Sequence, residues 1–243
     1  MTIKRIILFI FAFAVLIRSE LRAQVECSQF YTFGSTNVSE GFYIKTSLTG
    51  QYTYRTHTIG IGGQIDLLSS SENRSPVFDV VYTKRFPIES FPLDASAFFM
   101  YNRYSERMYE TDYGVLASAE RKHWTLKLGT SFRTFGLTKQ AVEDYSVTNA
   151  SKIRENFNTV YSLSIRLKPK DHVWNIGITM SNCVNFLILQ ETNPLFYIET
   201  RYQPKKAITL FIDAGYMNAG AFNLSVNPFG YYFKTGIQWK INS

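Results

Sequence analysis

The sequence predicts an all-β fold, a single closed antiparallel transmembrane β-barrel of about 12 strands. Three observations lead to this prediction. From Gly41 to the C-terminus, apolar and polar residues alternate over long runs, which is the period of a strand with two different faces. The breaks between these runs are alternately short and long, and a stretch with the features of an export signal precedes them. The sheet must close on itself, because an open edge would leave unpaired backbone groups in lipid.

The N-terminal stretch has the order of a signal peptide. Lys4 and Arg5 precede an unbroken apolar stretch, residues 6–17, and a polar segment ends at Ala23. We therefore expect residues 1–23 to be a signal peptide and residues 24–243 to be the barrel. The alternative is a retained anchor, although a spanning helix needs about 20 apolar residues. Removal of the signal would lower the net charge from +7 to about +4, which is too mild and dispersed to indicate nucleic acid as a partner.

The predicted strands are separated by two kinds of connection. Turns such as residues 55–57 and 121–123 are abrupt and basic, whereas loops such as residues 138–154 are long. Bacterial outer-membrane barrels keep short turns on the periplasmic side, so both termini are expected there. The predicted strands cover residues 28–35, 41–55, 57–70, 75–86, 92–105, 109–121, 123–137, 155–168, 172–185, 195–202, 206–219 and 230–242.

The two faces of each run differ in polarity. In the last run Phe233 and Ile237 point one way, while Lys234 and Gln238 point the other. Aromatic residues gather near strand ends, as they do at the level of lipid headgroups. The alternative is a soluble sandwich or a lipocalin-like barrel, whose apolar face would fill the interior. Gly, Ser and charges of both signs on the polar face favour a wet lumen instead.

By this pattern the chain resembles the Gram-negative outer-membrane β-barrel proteins over nearly the whole mature sequence. Residues 231–243 are similar to the assembly signal of that class, although the chain ends with Ser243 rather than an aromatic residue. The tyrosine-rich, lysine-bearing style resembles small barrels of Bacteroidota. The resemblance implies an integral protein of the cell outer membrane, in contact with membrane lipid and with the outer-membrane assembly machinery.

Charged residues of both signs are predicted to face the lumen. A wall of one sign would suggest a selective pore, whereas a mixed wall favours ion pairs that fill or narrow a small barrel. Twelve strands still leave more room than eight, so a narrow channel for small polar solutes fits as well. The candidate lumen-lining residues are Lys45, Asp66, Asp79, Asp94, Glu120, Lys127, Arg133, Arg166, Glu199, Arg201, Asp213 and Lys234.

A porin-like channel and a partner-binding barrel are the two leading interpretations. In the second, the chain would be a structural or accessory barrel, for example in protein secretion. Its protein partner would bind the outer loops, such as the long mixed-charge loop 138–154, which could include a short helix. The apolar segment 184–189 could extend a lipid-facing strand, fold into the barrel mouth or bind a partner.

An outer-membrane lipid hydrolase is the weakest alternative. Outer-membrane phospholipases, which some 12-stranded barrels resemble, carry His and Ser two residues apart on one strand. Neither His57, His123 nor His172 is followed by Ser at that distance, and all three lie beside short turns. No pair has the spacing of metal ligands within a strand. We therefore expect no enzyme activity, no metal and no cofactor.

Overall fold

The described residues form one closed antiparallel barrel. The computed structural model describes residues 23–36, 41–67, 77–88, 91–103, 107–144, 154–167, 173–182, 195–217 and 230–242. Each strand pairs with its neighbours in sequence, and the first strand closes the sheet against the last. The predicted fold class, a closed barrel of 12 strands, is confirmed.

The elements follow the predicted order. The strands are β1 (Ala23–Thr36), β2 (Gly41–Tyr54), β3 (His57–Asp66), β4 (Val77–Ile88), β5 (Phe91–Arg103), β6 (Met108–Glu120), β7 (Trp124–Leu137), β8 (Arg154–Arg166), β9 (Trp174–Ser181), β10 (Leu195–Lys205), β11 (Ile208–Met217) and β12 (Gly230–Asn242), with one short helix, α1 (Lys139–Asp144), between β7 and β8.

Most strands begin or end one to five residues away from their predicted bounds, and two strands extend beyond those bounds by three residues or more. Strand β1 begins at Ala23 rather than at residue 28, because its pairing with β2 starts at Ala23 and its pairing with β12 starts at Gln24. Strand β10 continues to Lys205 because a bulge between Tyr202 and Lys205 lets it resume pairing with β11. Helix α1 lies inside the loop that was expected to include one, and the Ala141 amide donates to Thr138 Oγ1 at 3.3 Å.

The barrel has a short-turn end and a long-loop end. Both the beginning of β1 and the end of β12 lie at the short-turn end, because the strands run antiparallel from there. The short connections are residues 55–56, 89–90, 121–123, 167–173 and 206–207, and the longer connections at the other end include residues 67–76, 138–153, 182–194 and 218–229. The apolar segment 184–189 and His172 lie outside the described residues.

Alternation along each strand separates an outer face from an inner face. In β9 the outer residues Trp174, Ile176 and Ile178 are 51%, 39% and 54% exposed, whereas the intervening Asn175 and Thr179 are 7% and 0% exposed. The same alternation runs around the barrel and exposes a belt of large apolar side chains. Such a continuous apolar surface is unfavourable in water. No helix in the described part of the chain is long and apolar enough to cross a membrane.

The inner face includes apolar side chains as well as polar ones. Val77, Phe98, Met100, Val160 and Phe211 are all buried. They lie on β4, β5, β8 and β11, and Val160 forms a buried apolar cluster with Leu116 of β6. The interior is therefore less uniformly polar than the alternation of the clearest runs indicates.

Two inward glycines of β3 allow β4 to pack closely. A Cβ at Gly60 would lie 2.7 Å from Val81 Cγ1, and a Cβ at Gly62 would overlap the Asp79 carboxylate. The side chains of Val81 and Asp79 therefore lie directly against the β3 backbone.

Candidate functional site

The barrel interior is the candidate site, because its inner wall gathers the buried charged residues. On β6 and β7, Glu110 and Asp112 are both 0% exposed and Arg133 is 6% exposed. Asp112 and Arg133 are direct partners in the register of these two strands. Arg133 Nε donates to Glu110 Oε1 and lies 3.7 Å from Asp112 Oδ1. We call these three residues the first charge cluster.

The guanidinium of Arg133 is held from two sides. Its Cζ lies 4.8 Å from the centre of the Phe135 ring, two residues along the same strand. A guanidinium over an aromatic face gains a cation–π attraction while its N–H groups remain available to carboxylates. The first charge cluster thus consists of one cation between two acidic side chains and an aromatic ring.

A second group of charges lies on β10, β11 and β12. Glu199 pairs in register with Asp213, and Asp213 pairs with Lys234. Arg201 Nε lies 3.6 Å from Glu199 Oε2. Asp213 and Lys234 are 3% and 7% exposed. We call Glu199, Arg201, Asp213 and Lys234 the second charge cluster.

Phe211 links the two cations of the second charge cluster. Its ring centre lies 5.6 Å from Arg201 Cζ and 5.7 Å from Lys234 Nζ, and Phe211 itself is 6% exposed. Phe211 and Asp213 are neighbours on the inner face of β11, so the cations lie between a ring and carboxylates. Opposite charges therefore balance within this cluster, which limits the cost of burying each one.

A third set of ion pairs lies near the short-turn end. Arg166 Nη1 lies 3.3 Å from Glu120 Oε1 and donates to Thr125 Oγ1 at 3.0 Å. Arg85 makes a bidentate pair with Asp94, with Nε–Oδ1 and Nη2–Oδ2 distances of 2.8 and 3.0 Å. These pairs are more exposed than the first charge cluster, so each contributes little stability.

The remaining candidates from the sequence occupy inward positions of β2, β4 and β7. Lys45 is half-buried and pairs in register with Asp66, whose side chain lies outside the described residues. Asp79 is 5% exposed, and its Oδ1 has no hydrogen-bond partner among the described residues. Lys127 is half-buried between Ser118 and Ser162 in register. Eight of the candidates thus lie in ion pairs or charge clusters, with each other or with residues outside the candidate set. Two of these eight, Asp94 and Glu120, lie at the rim.

Sequence reasoning missed Glu110 and Asp112, which carry the negative charge of the first cluster. Both lie within the predicted strand 109–121 and within β6 (Met108–Glu120), but neither was named among the lumen-lining candidates. Alternation along β6 could have identified them, because both lie an even number of residues from Leu116 and Glu120 and so share their inward face. Phe211 was also missed, since an aromatic residue in an apolar run does not reveal its face.

Hydrogen bonding elsewhere on the inner wall is of a structural kind. Thr179 Oγ1 donates to Ser164 Oγ at 2.8 Å and lies 3.4 Å from Glu199 Oε1.

His57 lies on the outer face, where its Nδ1 is 2.7 Å from the Tyr82 hydroxyl. Within the described ranges, no group of three or more His, Cys, Asp or Glu side chains could hold a metal ion.

The interior is narrow at the level of these clusters. Twelve strands about 4.8 Å apart and tilted by about 40° enclose a backbone diameter of about 24 Å. Inward arginine, methionine and phenylalanine side chains each extend about 5 to 7 Å from the wall, so they fill much of that width. The low exposure of Met100 (1%), Glu110 (0%) and Phe98 (4%) shows that inward side chains leave little accessible surface there.

The fold is shared with solved outer-membrane barrels. The KdgM porin, also solved in complex with a disordered oligogalacturonate, matches with a TM-score of 0.51 and 10% identity, covering 87% of this chain and 98% of that porin. The COG4313 outer membrane channel from Pseudomonas putida F1 matches with a TM-score of 0.51 and 10% identity, covering 91% and 96% of the two chains. The NanC porin matches with a TM-score of 0.50 and 10% identity, covering 89% and 100%.

These similarities describe the shape of the backbone. No protein-family model matches the sequence, and no curated protein is significantly similar to it in sequence. At 10% identity the porins and the channel share the barrel fold with this chain, while their solutes remain properties of those proteins.

Proposed function

We propose that this chain is an integral outer-membrane barrel that acts as a narrow channel for small polar solutes. The observation that carries the proposal is the contrast between the two faces of one closed sheet. The outer face is a continuous apolar belt, with Ile61, Val115 and Ile212 at 55%, 58% and 56% exposed, whereas the buried charges lie inside. A hydrocarbon layer outside and an aqueous path inside satisfy both faces.

The inner wall supports a channel of small bore and weak charge preference. The first charge cluster carries two carboxylates and one guanidinium, and the second carries two carboxylates and two cations. The wall therefore carries charges of both signs. Such a wall is expected to discriminate only weakly between cations and anions. Packing of the inward side chains restricts passage to small solutes. Lys45, Asp66, Asp79, Lys127 and the two charge clusters would line this path.

The same packing supports the second candidate, a structural or accessory barrel with a closed interior. Such a barrel would bind a protein through its outer loops and would conduct nothing. The expected signal peptide, residues 1–23, and contact with the outer-membrane assembly machinery belong to both candidates. The resemblance to barrels of Bacteroidota stays a prediction, and neither candidate needs enzyme activity.

Solute flux into proteoliposomes separates the two candidates. Vesicles that contain the refolded chain are placed in isotonic solutions of neutral sugars of increasing size, and their swelling is followed by light scattering. A narrow channel predicts fast swelling with a pentose and little with a trisaccharide. No swelling with any solute, from a barrel shown to be folded and inserted, would favour the closed structural barrel.

A pair of neighbouring variants on β5 makes the test specific to the lumen. Met100 is inward and 1% exposed, whereas Phe99 is outward and 41% exposed. Met100→Ala removes bulk from the interior and is expected to speed swelling and to admit larger sugars. Phe99→Ala removes bulk from the outer face and is expected to leave the size limit unchanged. An equal effect of both variants would contradict passage through the interior.

A further inference from the structure

A group of cations and aromatic rings lies on the outer face of the barrel at the short-turn end. We call it the girdle cluster, and it comprises Tyr54, Arg55, His57, Tyr82, Lys84 and Phe86. Its members belong to three successive strands and one turn. Tyr54 pairs in register with His57, and His57 pairs with Lys84, so the group occupies one compact patch.

The side chains of the girdle cluster point away from the lumen. Along β4 the outward row includes Phe78, Tyr82 and Phe86, which are 48%, 42% and 39% exposed. Lys84 is exposed and shares the phase of this row. A lysine therefore stands within a line of apolar side chains, at the edge of the belt that would face lipid.

Aromatic rings hold the two cations, and no carboxylate neutralises them. Lys84 Nζ lies 5.2 Å from the centre of the Phe86 ring, and Arg55 Cζ lies 5.1 Å from the centre of the Tyr54 ring. In the described part of the chain neither cation has an acidic partner. His57 uses Nδ1 to contact the Tyr82 hydroxyl at 2.7 Å, which leaves its other ring nitrogen for a ligand.

The turn that carries Arg55 does not itself require an arginine. Arg55 has a φ of 55°, in the left-handed region where a side chain is disfavoured. Glycine adopts this conformation without strain. The guanidinium is thus placed beside Tyr54 by a turn whose backbone would favour another residue.

We propose that the girdle cluster binds the phosphate of a membrane phospholipid. Arg55 and Lys84 supply the positive charge and the hydrogen-bond donors, since a guanidinium can donate two N–H groups to phosphate oxygens. His57 supplies a further contact. The acyl chains would lie along the outward row of Ile59, Ile61 and Phe78. This inference rests on the proposed membrane location but not on channel activity.

A lipid rather than free phosphate fits this position, because the cations border an apolar surface. Free phosphate would gain only the charge contact, whereas a phospholipid also covers the exposed aliphatic rows. Amphipathic aromatic rings favour the headgroup level, which would place the phosphate beside Arg55 and Lys84.

The test measures lipid binding to the refolded full chain after delipidation in a neutral detergent. Three probes are titrated and counted by native mass spectrometry: a short-chain phosphatidylglycerol, the diacylglycerol with the same chains, and inorganic phosphate. The proposal predicts one tightly retained phosphatidylglycerol and weaker binding of both other probes. Arg55→Gly and Lys84→Gln are each expected to weaken retention about fivefold.

Two controls separate binding from folding and from general attraction. Arg55→Gly removes the strain of a side chain in the left-handed backbone region, so this variant is expected to fold at least as well as the natural chain. Lys122→Gln removes an exposed cation from the β6–β7 turn, outside the girdle cluster, and should leave retention unchanged. An equal loss with Lys122→Gln would overturn a defined site in favour of diffuse charge.

The remaining outcomes are also decisive. Equal retention of diacylglycerol, or inorganic phosphate that competes as strongly as the lipid, would overturn the proposal. A chain that inserts into vesicles but retains no phosphatidylglycerol would contradict the girdle cluster alone. A folded chain that does not insert at all would contradict the membrane location, and this proposal with it.

Discussion

Ile178 provides a quantitative test of which face of the sheet meets lipid. Its side chain is 54% exposed on the outer face of β9. It lies four residues from Trp174, which begins that strand at the short-turn end. At about 3.3 Å per residue and a tilt of about 45°, Ile178 lies about 9 Å into the barrel wall. An apolar band about 25 Å tall therefore places this residue near its middle.

The expected cost of Ile178→Arg follows from this depth. A cation on the lipid face costs about 2 to 4 kcal/mol at the midplane and about 0 to 1 kcal/mol near an interface. Leu210, two residues into β11, lies about 5 Å from the same end, so Leu210→Arg should cost less. Thr209→Arg places the cation on the inner face beside Leu210 and should be milder still.

Urea unfolding in lipid vesicles, followed by tryptophan fluorescence, measures these costs as changes in the free energy of unfolding. Ile178→Met serves as a control that keeps the position apolar, and it is expected to cost less than about 1.5 kcal/mol. Thr179→Arg looks like a suitable inward control from the sequence alone. It is not, because Thr179 is 0% exposed and hydrogen-bonded to Ser164, so an arginine does not fit there. Equal losses for Ile178→Arg and Thr209→Arg would refute the assignment of faces.

Three further predictions follow from contacts on the inner wall and at the rim. Gly62→Ala forces the Asp79 carboxylate away from the β3 backbone and is expected to cost about 1 to 3 kcal/mol in the same unfolding measurement. Gly63→Ala should cost less, because the nearest atom to its new Cβ would be 3.8 Å away. A larger cost for Gly63→Ala than for Gly62→Ala would contradict the packing of Asp79 against β3. Arg133→Met removes the cation that contacts two buried carboxylates and should cost about 3 to 5 kcal/mol, a loss that neutralising both carboxylates should largely restore. Arg85→Met removes the partly exposed ion pair with Asp94 and should cost less than about 1 kcal/mol. A loss as large as that of Arg133→Met would mean that burial does not determine how much these ion pairs contribute to stability.

Strand number and order could be predicted because the physical signal is local. A run such as β9 alternates without interruption, so its two faces are readable from Trp174 to Ser181. Abrupt basic turns at residues 55–56 and 121–123 mark the strand ends equally clearly. The extension of β1 back to Ala23 could not be predicted in the same way, because it depends on pairing with β2 and with β12, and β12 lies at the other end of the chain.

The charge clusters show where prediction from sequence stops. The alternation of side chains along each strand is enough to place Arg133, Asp213 and Lys234 on the inner face. Which carboxylate meets which cation depends on register between strands, as in the Asp213–Lys234 pair. Asp112 lies within the predicted strand 109–121, but its contact with Arg133 follows from the register between β6 and β7 rather than from local composition.

The girdle cluster was likewise hidden from sequence reasoning. Its histidine was read as a polar residue beside a turn, and its lysine interrupts an otherwise apolar row of β4. Only the register His57–Lys84 brings the two together with Tyr82. Short-range patterns thus predict faces and ends, whereas sites that join several strands require the three-dimensional pairing.

Single-channel recording tests the central claim, a membrane-spanning barrel with a narrow polar interior, most directly. The refolded chain is inserted into a planar bilayer, and conductance is measured in several salts. The account predicts small, discrete steps with weak preference between cations and anions. Large steps would contradict the narrow interior, and silence from a barrel shown to be folded and inserted would contradict the channel and favour the closed structural barrel.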